Sequence, residues 1–190
     1  MRTSDEVATS AERVLRDGRI VRLRPGGYDS PVARALVAAV QQEYVVRYGG
    51  PDEAVVDPAE FVPPAGLFLV AEVDGAPVGC AAWRVHAPGV VEVKRVFVAP
   101  TARRLGLAQV LMDAMEASAL AAGHRSVVLN TGDRQPEAIA LYRRRGYRSA
   151  GGYGVYAESP GAVFLGRDLG RDLGTDPVTE TGDEEQSWAS

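Results

Sequence analysis

The segment from Val93 to Ala108 constrains the fold more than any other part of the 190-residue chain. It reads as a β-branched strand that stops at Pro100, then a basic turn, then an amphipathic helix. A turn that leads directly into a helix leaves several backbone N–H groups unpaired and pointing the same way. These donors and the helix dipole favour a phosphate, and Gly106 lets a ligand approach the backbone because it has no Cβ. The segment therefore predicts a site for a phosphorylated cofactor.

Two other phosphate-binding patterns are missing from the sequence. It contains no Gly-x4-Gly-Lys-Ser/Thr, which excludes a P-loop, and no Gly-x-Gly-x-x-Gly after a strand, which excludes the dinucleotide fingerprint. The remaining alternative for the turn at Arg103 is an ordinary solvated helix start.

A second motif downstream argues against that alternative. The spacing Arg103-x-x-Gly106-x-Ala108 resembles the pyrophosphate-binding signature of the GNAT superfamily of acyl-CoA-dependent N-acetyltransferases. Residues 135–147 resemble the other recurrent segment of that family, a short helix with Leu-Tyr, three residues, then glycine and an aromatic residue. The two signatures stand in the expected order and separation, and the resemblance covers roughly residues 19 to 169.

The patterns of apolar residues, prolines and glycines predict a mixed α and β chain. The predicted strands span 20–25, 67–73, 76–85, 90–98, 126–129, 147–156 and 162–169, with a hairpin turn at Asp74-Gly75 between the second and the third. The predicted helices span 30–48, 104–122 and a short segment around Tyr142, and Glu116 is expected on the outer face of the second helix. Along strand 90–98, even-numbered and odd-numbered residues alternate between the two faces unless a bulge resets the count. The polar loop that follows the first helix and runs to Pro64 is a candidate substrate lid.

The resemblance implies an α/β (mixed α+β) fold with a twisted, mostly antiparallel sheet of six to seven strands. It also implies a splay at the fourth strand and helices on both faces. We predict a flexible N-terminal arm over 1–17, helical at most, a GNAT acetyltransferase domain over 18–169, and an acidic disordered tail over 170–190. That tail carries one arginine against six acidic residues, and the near-neutral remainder gives no sign of nucleic-acid binding.

The composition also bears on compartment and on metals. The single cysteine, Cys80, rules out an intramolecular disulfide and lies in an apolar run, where a small buried residue is expected. No uncharged apolar stretch approaches membrane-spanning length and the N-terminus is not a signal peptide, so we expect a cytoplasmic protein without membrane attachment. His86 and His124 are too isolated to predict a metal site. The chain is expected to be a monomer or a homodimer.

Glu92 is the carboxylate best placed to act as a base. Alkyl amines have a pKa of about 10 and are therefore protonated near neutral pH. Because only the free amine attacks a thioester, the reaction requires a base, or a chain of water molecules that leads to a base. Glu92 stands eleven residues before Arg103, on the strand that leads to the phosphate turn. It matches the glutamate that several GNAT enzymes use as general base. The alternative is a solvated strand glutamate paired with Arg84 or Lys94.

The resemblance also implies a proton donor and a set of cofactor contacts. Tyr142 matches the tyrosine that protonates the leaving thiolate of coenzyme A in the family; the alternative is a core aromatic residue. The main chain of Val96, Phe97 and Val98 would bind the pantetheine arm. The turn would bind the pyrophosphate of acetyl-CoA through Arg103, Arg104, Leu105, Gly106, Leu107 and Ala108. Gln135 stands where many relatives have asparagine, and Asn130 is a second candidate for that contact.

For the acceptor site, the sequence predicts only which residues line it. Glu43, Tyr44 and Arg47 lie near the end of the first helix, and Tyr156 lies in a glycine-rich turn that could approach them. The sequence thus predicts an N-acetyltransferase that moves an acetyl group from acetyl-CoA to a primary amine of a small molecule or peptide. The transfer would be direct, in a ternary complex. The alternative is a non-catalytic acyl-CoA-binding sensor.

Overall fold

The computed structural model describes residues 11–170. The strands are β1 (Ala11–Val14), β2 (Ile20–Pro25), β3 (Gly66–Val73), β4 (Ala76–Ala87), β5 (Val90–Val98), β6 (Ser126–Gly132), β7 (Arg148–Ser149) and β8 (Ala162–Asp168). The α-helices are α1 (Pro31–Tyr48), α2 (Leu107–Ala121) and α3 (Pro136–Arg144), and short 3-10 helices span Pro58–Phe61, Pro100–Ala102 and Gly154–Tyr156. Within 11–170, none of the helices combines the length and apolar content needed to cross a bilayer.

The strands form a mixed sheet in the order β1-β2-β3-β4-β5-β6-β8-β7. The pairs β1–β2, β2–β3, β3–β4, β6–β8 and β7–β8 are antiparallel, and β5–β6 is parallel. The parallel register runs from Val90↔Ser126 to Val93↔Leu129, although β5 continues to Val98. The mixed, mostly antiparallel sheet is confirmed, and its parallel pairing stops on the strand where the splay is predicted.

Helices cover both faces of the sheet. Cys80 belongs to a buried cluster with Leu36 and Val40 of α1. A Cβ added to the preceding residue, Gly79, would lie 3.5 Å from Leu111 of α2. Successive residues of a strand point to opposite faces, so α1 and α2 lie on opposite sides of β4.

Two local predictions are confirmed with their physical cause. Helix α1 begins after Ser30, whose hydroxyl accepts a hydrogen bond from the Ala33 N–H at 3.2 Å. The hairpin between β3 and β4 turns at Asp74 and Gly75, whose φ angles of 52° and 77° suit the two-residue turn that matches strand twist.

The sheet has one more strand than the largest number predicted, because the N-terminal segment was misread. Residues 11–14 form β1 rather than an arm that is helical at most, and they pair antiparallel with β2. Leu15 is buried and its N–H donates to the Arg19 carbonyl at 2.8 Å, which closes the hairpin. The overlooked signal was Asp17-Gly18, a hairpin turn pair. Residues 1–10 and 171–190, which hold the rest of the predicted arm and nearly all of the acidic tail, lie outside the described residues.

Three elements also differ from the prediction by three residues or more at one end. Helix α2 begins at Leu107 rather than Arg104, because Arg104 and Gly106 have left-handed φ angles of 64° and 87°. Strand β6 extends past Leu129 to Gly132. The strand predicted over 147–156 is reduced to the two residues of β7, since the following glycine-rich stretch offers few side chains to pack.

The chain divides into two compact units, which are described separately below. Within the described residues, the first comprises 11–84 together with Lys94–Met115, and the second comprises Val85–Val93 and 116–170. The core of the first unit includes Ala33, Leu36, Val40, Phe61, Phe68, Val70, Cys80, Ala82 and Phe97. In the second unit, the buried side chains include Val127, Val128, Leu129, Tyr147 and Leu165.

Candidate active site

The predicted phosphate turn lies in the first unit, between the 3-10 helix Pro100–Ala102 and α2. The Gly106 carbonyl accepts the N–H groups of Gln109 and Val110, at 3.0 and 3.2 Å. As at every helix start, the N–H groups that precede Gln109 have no acceptor within the helix itself. A Cβ built on Gly106 would meet only the side chain of Arg16, at 3.6 Å or more. The turn therefore has a left-handed glycine with space above it, which fits close approach by a phosphate.

The side chain of Arg103 joins two predicted site residues. Its Nε donates to the Val98 carbonyl at 3.0 Å, and its guanidinium forms an ion pair with Glu43 of α1. Both side chains are partly exposed, so the pair itself contributes no more than about 1 kcal/mol. The contact links the turn to the helix end that was predicted to line the acceptor site.

The backbone of β5 departs from regular strand geometry at Arg95. Its φ of 57° is left-handed, which is uncommon for a residue other than glycine. The guanidinium is buried between the Asp52 carboxylate, with which it forms an ion pair, and the Tyr28 hydroxyl at 3.1 Å. Sequence reasoning allowed for a bulge but missed this network, because no pattern marks Asp52 or Tyr28 as partners of a strand arginine. Arg95 immediately precedes the three residues predicted to bind pantetheine.

Tyr44 is predicted to line the acceptor site and lies in this same first unit. Burial raises the pKa of its phenol to about 12, against the opposing effect of the Arg95 charge. Tyr44 is therefore protonated at neutral pH and can donate a hydrogen bond. Its ring lies 6.5 Å from that of Tyr48 in the last turn of α1. Arg47, in the same turn, is half-buried.

The surroundings of Cys80 make its thiol unreactive. Its side chain is fully buried, and burial raises the pKa of the thiol to about 12. Its Sγ donates to the Arg95 carbonyl at 3.3 Å. The predicted core role is confirmed, because a nucleophilic cysteine needs a lowered thiol pKa and access to substrate.

Glu92 lies in the second unit, on the part of β5 that pairs with β6. It stands opposite Val128 in the parallel register and is only 3% exposed. The solvated position in the alternative is therefore wrong, and the pairing of Glu92 with Arg84 or Lys94 stays a prediction. A glutamate is almost never fully buried unless it is paired with another polar group. The use of Glu92 as a base stays a prediction.

Tyr142 lies in α3 in the second unit and is buried. The end of α3 explains the spacing of its motif. Gly146 has a φ of 83° and donates its N–H to the Arg143 carbonyl at 3.0 Å, and the Tyr147 N–H donates to the Tyr142 carbonyl at 3.1 Å. This pair of bonds is a Schellman cap, in which the residue after the glycine packs on the residue five positions earlier. The Tyr142 and Tyr147 rings do so, with centroids 5.7 Å apart.

Glu116 was predicted to face outward on α2, and this is wrong. It is 8% exposed and accepts hydrogen bonds from Arg145 at 2.7 Å, Arg167 at 2.8 Å and the Tyr147 hydroxyl at 3.0 Å. Burial and the Glu116 charge raise the pKa of the Tyr147 phenol well above its usual value. A signal was present, because Glu116 follows Met112 by four residues and so borders the apolar stripe.

The remaining predicted residues also lie in the second unit. Asn130 pairs with Phe164 across β6 and β8 and is half-buried. Gln135 precedes the first residue of α3, and its side-chain oxygen accepts a hydrogen bond from the Thr131 hydroxyl at 2.9 Å. Tyr156 ends the 3-10 helix Gly154–Tyr156. Tyr156 belongs to the second unit, whereas Glu43, Tyr44 and Arg47 belong to the first.

Comparison with known proteins decides the family. A sequence model described as the acetyltransferase (GNAT) family matches residues 33–147. The chain belongs to the GNAT family of acetyltransferases. An IAA acetyltransferase from Azospirillum brasilense is 36% identical to it over 147 residues, which are 74% of this chain and 95% of that protein. This GNAT chain is therefore an acyltransferase enzyme.

Solved structures agree with this assignment. A candidate acyl-CoA N-acyltransferase from Klebsiella pneumoniae is 29% identical, with a TM-score of 0.66, covering 78% of this chain and 97% of that one. A GNAT acetyltransferase from Elizabethkingia anophelis with acetyl-CoA bound is 15% identical, with a TM-score of 0.58, covering 78% and 98%. The second likeness shows the shared fold alone.

Proposed function

We propose that this enzyme moves an acetyl group from acetyl-CoA to a primary amine of a small molecule or peptide, directly and in a ternary complex. The observation that carries the proposal is the Gly106 turn at the start of α2, in a chain of the GNAT family. The glycine is left-handed, and only the flexible Arg16 side chain lies near the position of a Cβ. Residues 103–108 would hold the pyrophosphate by backbone N–H groups, and the main chain of Val96–Val98 would hold the pantetheine arm. When bound, acetyl-CoA supplies the acetyl group as an activated thioester.

The residues of the second unit would move the protons. Glu92 would take a proton from the acceptor amine, directly or through water, and Tyr142 would give a proton to the departing thiolate. Asn130 and Gln135 would contact the pantetheine amides. Glu43, Tyr44, Arg47 and Tyr156 would line the acceptor site. A cytoplasmic location, the absence of nucleic-acid and membrane partners, the domain limits at 18 and 169, and the choice between monomer and homodimer stay predictions.

A thiol-release assay tests the proposal. The protein is mixed with acetyl-CoA and a panel of small amines, polyamines and peptides, with IAA added because of the name of the Azospirillum brasilense relative. Free thiol is followed over time, and mass spectrometry identifies the acetylated product. We expect thiol release that depends on a primary amine. Tight binding of acetyl-CoA with no release from any amine would support the sensor alternative instead.

Cys80→Ala is expected to leave turnover within about two-fold of wild type. With a thiol pKa of about 12, only about one molecule in 10⁵ carries the thiolate at pH 7. An acyl-enzyme on this cysteine is therefore unfavourable, and transfer should not need it. The check is steady-state turnover together with mass spectrometry of the protein after mixing with acetyl-CoA alone. Loss of activity with an acetyl group found on wild-type Cys80 would contradict direct transfer.

Glu92→Gln is expected to slow transfer most at low pH and to recover as pH rises. Alkyl amines lose their proton near pH ~10, so the need for a base falls as pH approaches that value. The measurement is the pH profile of kcat/KM for the acceptor, in wild type and variant. The conservative control is Glu72→Gln, which removes a carboxylate from an ion pair with Arg24 in the first unit. A deficit that stays constant from pH 6 to 10 would contradict the base role.

A further inference from the structure

The carboxylate of Glu116 accepts four hydrogen bonds, from the buried Tyr147 and from two half-buried arginines. Its Oε1 accepts from Arg145 Nε at 3.2 Å and from the Tyr147 hydroxyl at 3.0 Å. Its Oε2 accepts from Arg145 Nη2 at 2.7 Å and from Arg167 at 2.8 Å. Two parallel bonds to one guanidinium define orientation as well as adding stability. The Glu116 cluster, meaning Glu116, Arg145, Tyr147 and Arg167, is therefore a rigid group in the second unit.

Tyr147 connects this cluster to Tyr142. Its N–H donates to the Tyr142 carbonyl, its ring packs on the Tyr142 ring at 56°, and its hydroxyl donates to Glu116. Tyr147 is 1% exposed and Tyr142 is 6% exposed. The Tyr147 ring is thus held at both ends, at its backbone and at its hydroxyl. Because the Tyr147 ring is fixed and packs against Tyr142, it limits the side-chain rotamers that Tyr142 can adopt.

Placement matters for a proton donor. A general acid must lie within hydrogen-bond reach of the atom that it protonates, roughly 2.6–3.2 Å. A misplacement of about 1 Å can slow a reaction by roughly 100-fold. We propose that Glu116 and Tyr147 are positioning residues for acetyl transfer. Through the capped end of α3, they hold the Tyr142 hydroxyl in the position that proton donation requires. This inference rests on the proposed function, since it takes Tyr142 as the proton donor.

A double-mutant cycle tests the inference. Tyr147→Phe deletes the hydroxyl that Glu116 accepts and keeps the ring on Tyr142. We expect kcat to fall by roughly 10- to 100-fold with little change in KM for acetyl-CoA, because the donor is displaced while the cofactor contacts remain. In a Tyr142→Phe background, the same change should lower kcat by less than about two-fold, since no hydroxyl is left to position.

A structural role gives a different result. If the cluster only stabilises the second unit, Tyr147→Phe lowers the melting temperature and reduces kcat by the same factor in both backgrounds, or does not reduce it at all. Either result would overturn the inference. Glu116→Gln provides a second variant that keeps the side-chain shape, and its loss of kcat should also vanish in the Tyr142→Phe background. Ser149→Ala is the matched control, because it removes a hydrogen bond from Arg143 of the same helix without touching the Glu116 cluster.

The outcomes also separate this inference from the proposed function. A wild-type protein that transfers no acetyl group, or a Tyr142→Phe variant with wild-type turnover, contradicts the assigned chemistry and removes the basis for positioning. An active wild type and a slow Tyr142→Phe variant, with losses that multiply in the double mutant, contradict only the positioning role.

Discussion

Tyr142→Phe is expected to slow acetyl transfer by up to roughly 10²–10⁴-fold while acetyl-CoA still binds. The change deletes only the hydroxyl, and the ring keeps its buried position and its contact with Tyr147. A packing residue would therefore tolerate the change with little effect on stability or rate. A proton donor would not, because the departing thiolate would leave unprotonated. The measurement is single-turnover kinetics, where chemistry limits the rate.

The same variant allows a sharper test with altered leaving groups. A more acidic thiol leaves with less help, so the deficit of Tyr142→Phe should shrink as the thiol pKa of the acetyl donor falls. Calorimetry of coenzyme A binding to both proteins separates the chemical step from the binding step. Wild-type single-turnover rates for Tyr142→Phe would remove the hydroxyl from the mechanism.

Gly106→Val is expected to weaken acetyl-CoA binding by at least about 100-fold and to leave the protein folded. Two effects combine at this position. A β-branched residue is strained at a φ of 87°, and its side chain would occupy the position beside Arg16 above the turn, where a phosphate would lie. Residue 106 is not part of the buried core of the first unit, so the substitution should not disrupt that core. Calorimetric titration with coenzyme A measures the loss of affinity.

Gly123→Val is the matched control for backbone strain. Gly123 has a φ of 91° at the other end of α2, and nothing lies within 4 Å of its added Cβ. Strain of this kind costs roughly 1–3 kcal/mol at either position. We therefore expect similar losses of melting temperature in both variants and a loss of affinity in Gly106→Val alone. Equal affinities in the two variants would show that the turn is not the anion site.

The parts of the site that the sequence predicted depend on near neighbours in the chain. The Gly106 turn and the Asp74-Gly75 hairpin each depend on a left-handed glycine within a few residues. The motif around Tyr142 is also local, because a Schellman cap requires the glycine and an apolar residue at set distances after the tyrosine. Such interactions leave a readable spacing in the sequence.

The prediction failed where the partner is distant. Glu116 was assigned to the solvent side of α2, but its partners Arg145 and Arg167 come 29 and 51 residues later. Arg95 is neutralised by Asp52, which lies 43 residues earlier in a loop that the sequence marks only as polar. Strand β1 was missed although Asp17-Gly18 marks its turn, because four residues with few apolar side chains give a weak periodic signal.

The sequence by itself determined the family, the order of helices and strands from β2 onward, the turn at Gly106 and the burial of Cys80. Each depends on spacing or composition within one stretch of chain. Only the tertiary structure decided that Glu92 and Glu116 are buried, that Arg103 pairs with Glu43 across 60 residues, and that Arg95 has a left-handed backbone within β5. The physical reason is that a charge is stable in a protein interior only beside a partner of opposite charge or a set of donors. Which partner it meets is decided by how distant segments pack together.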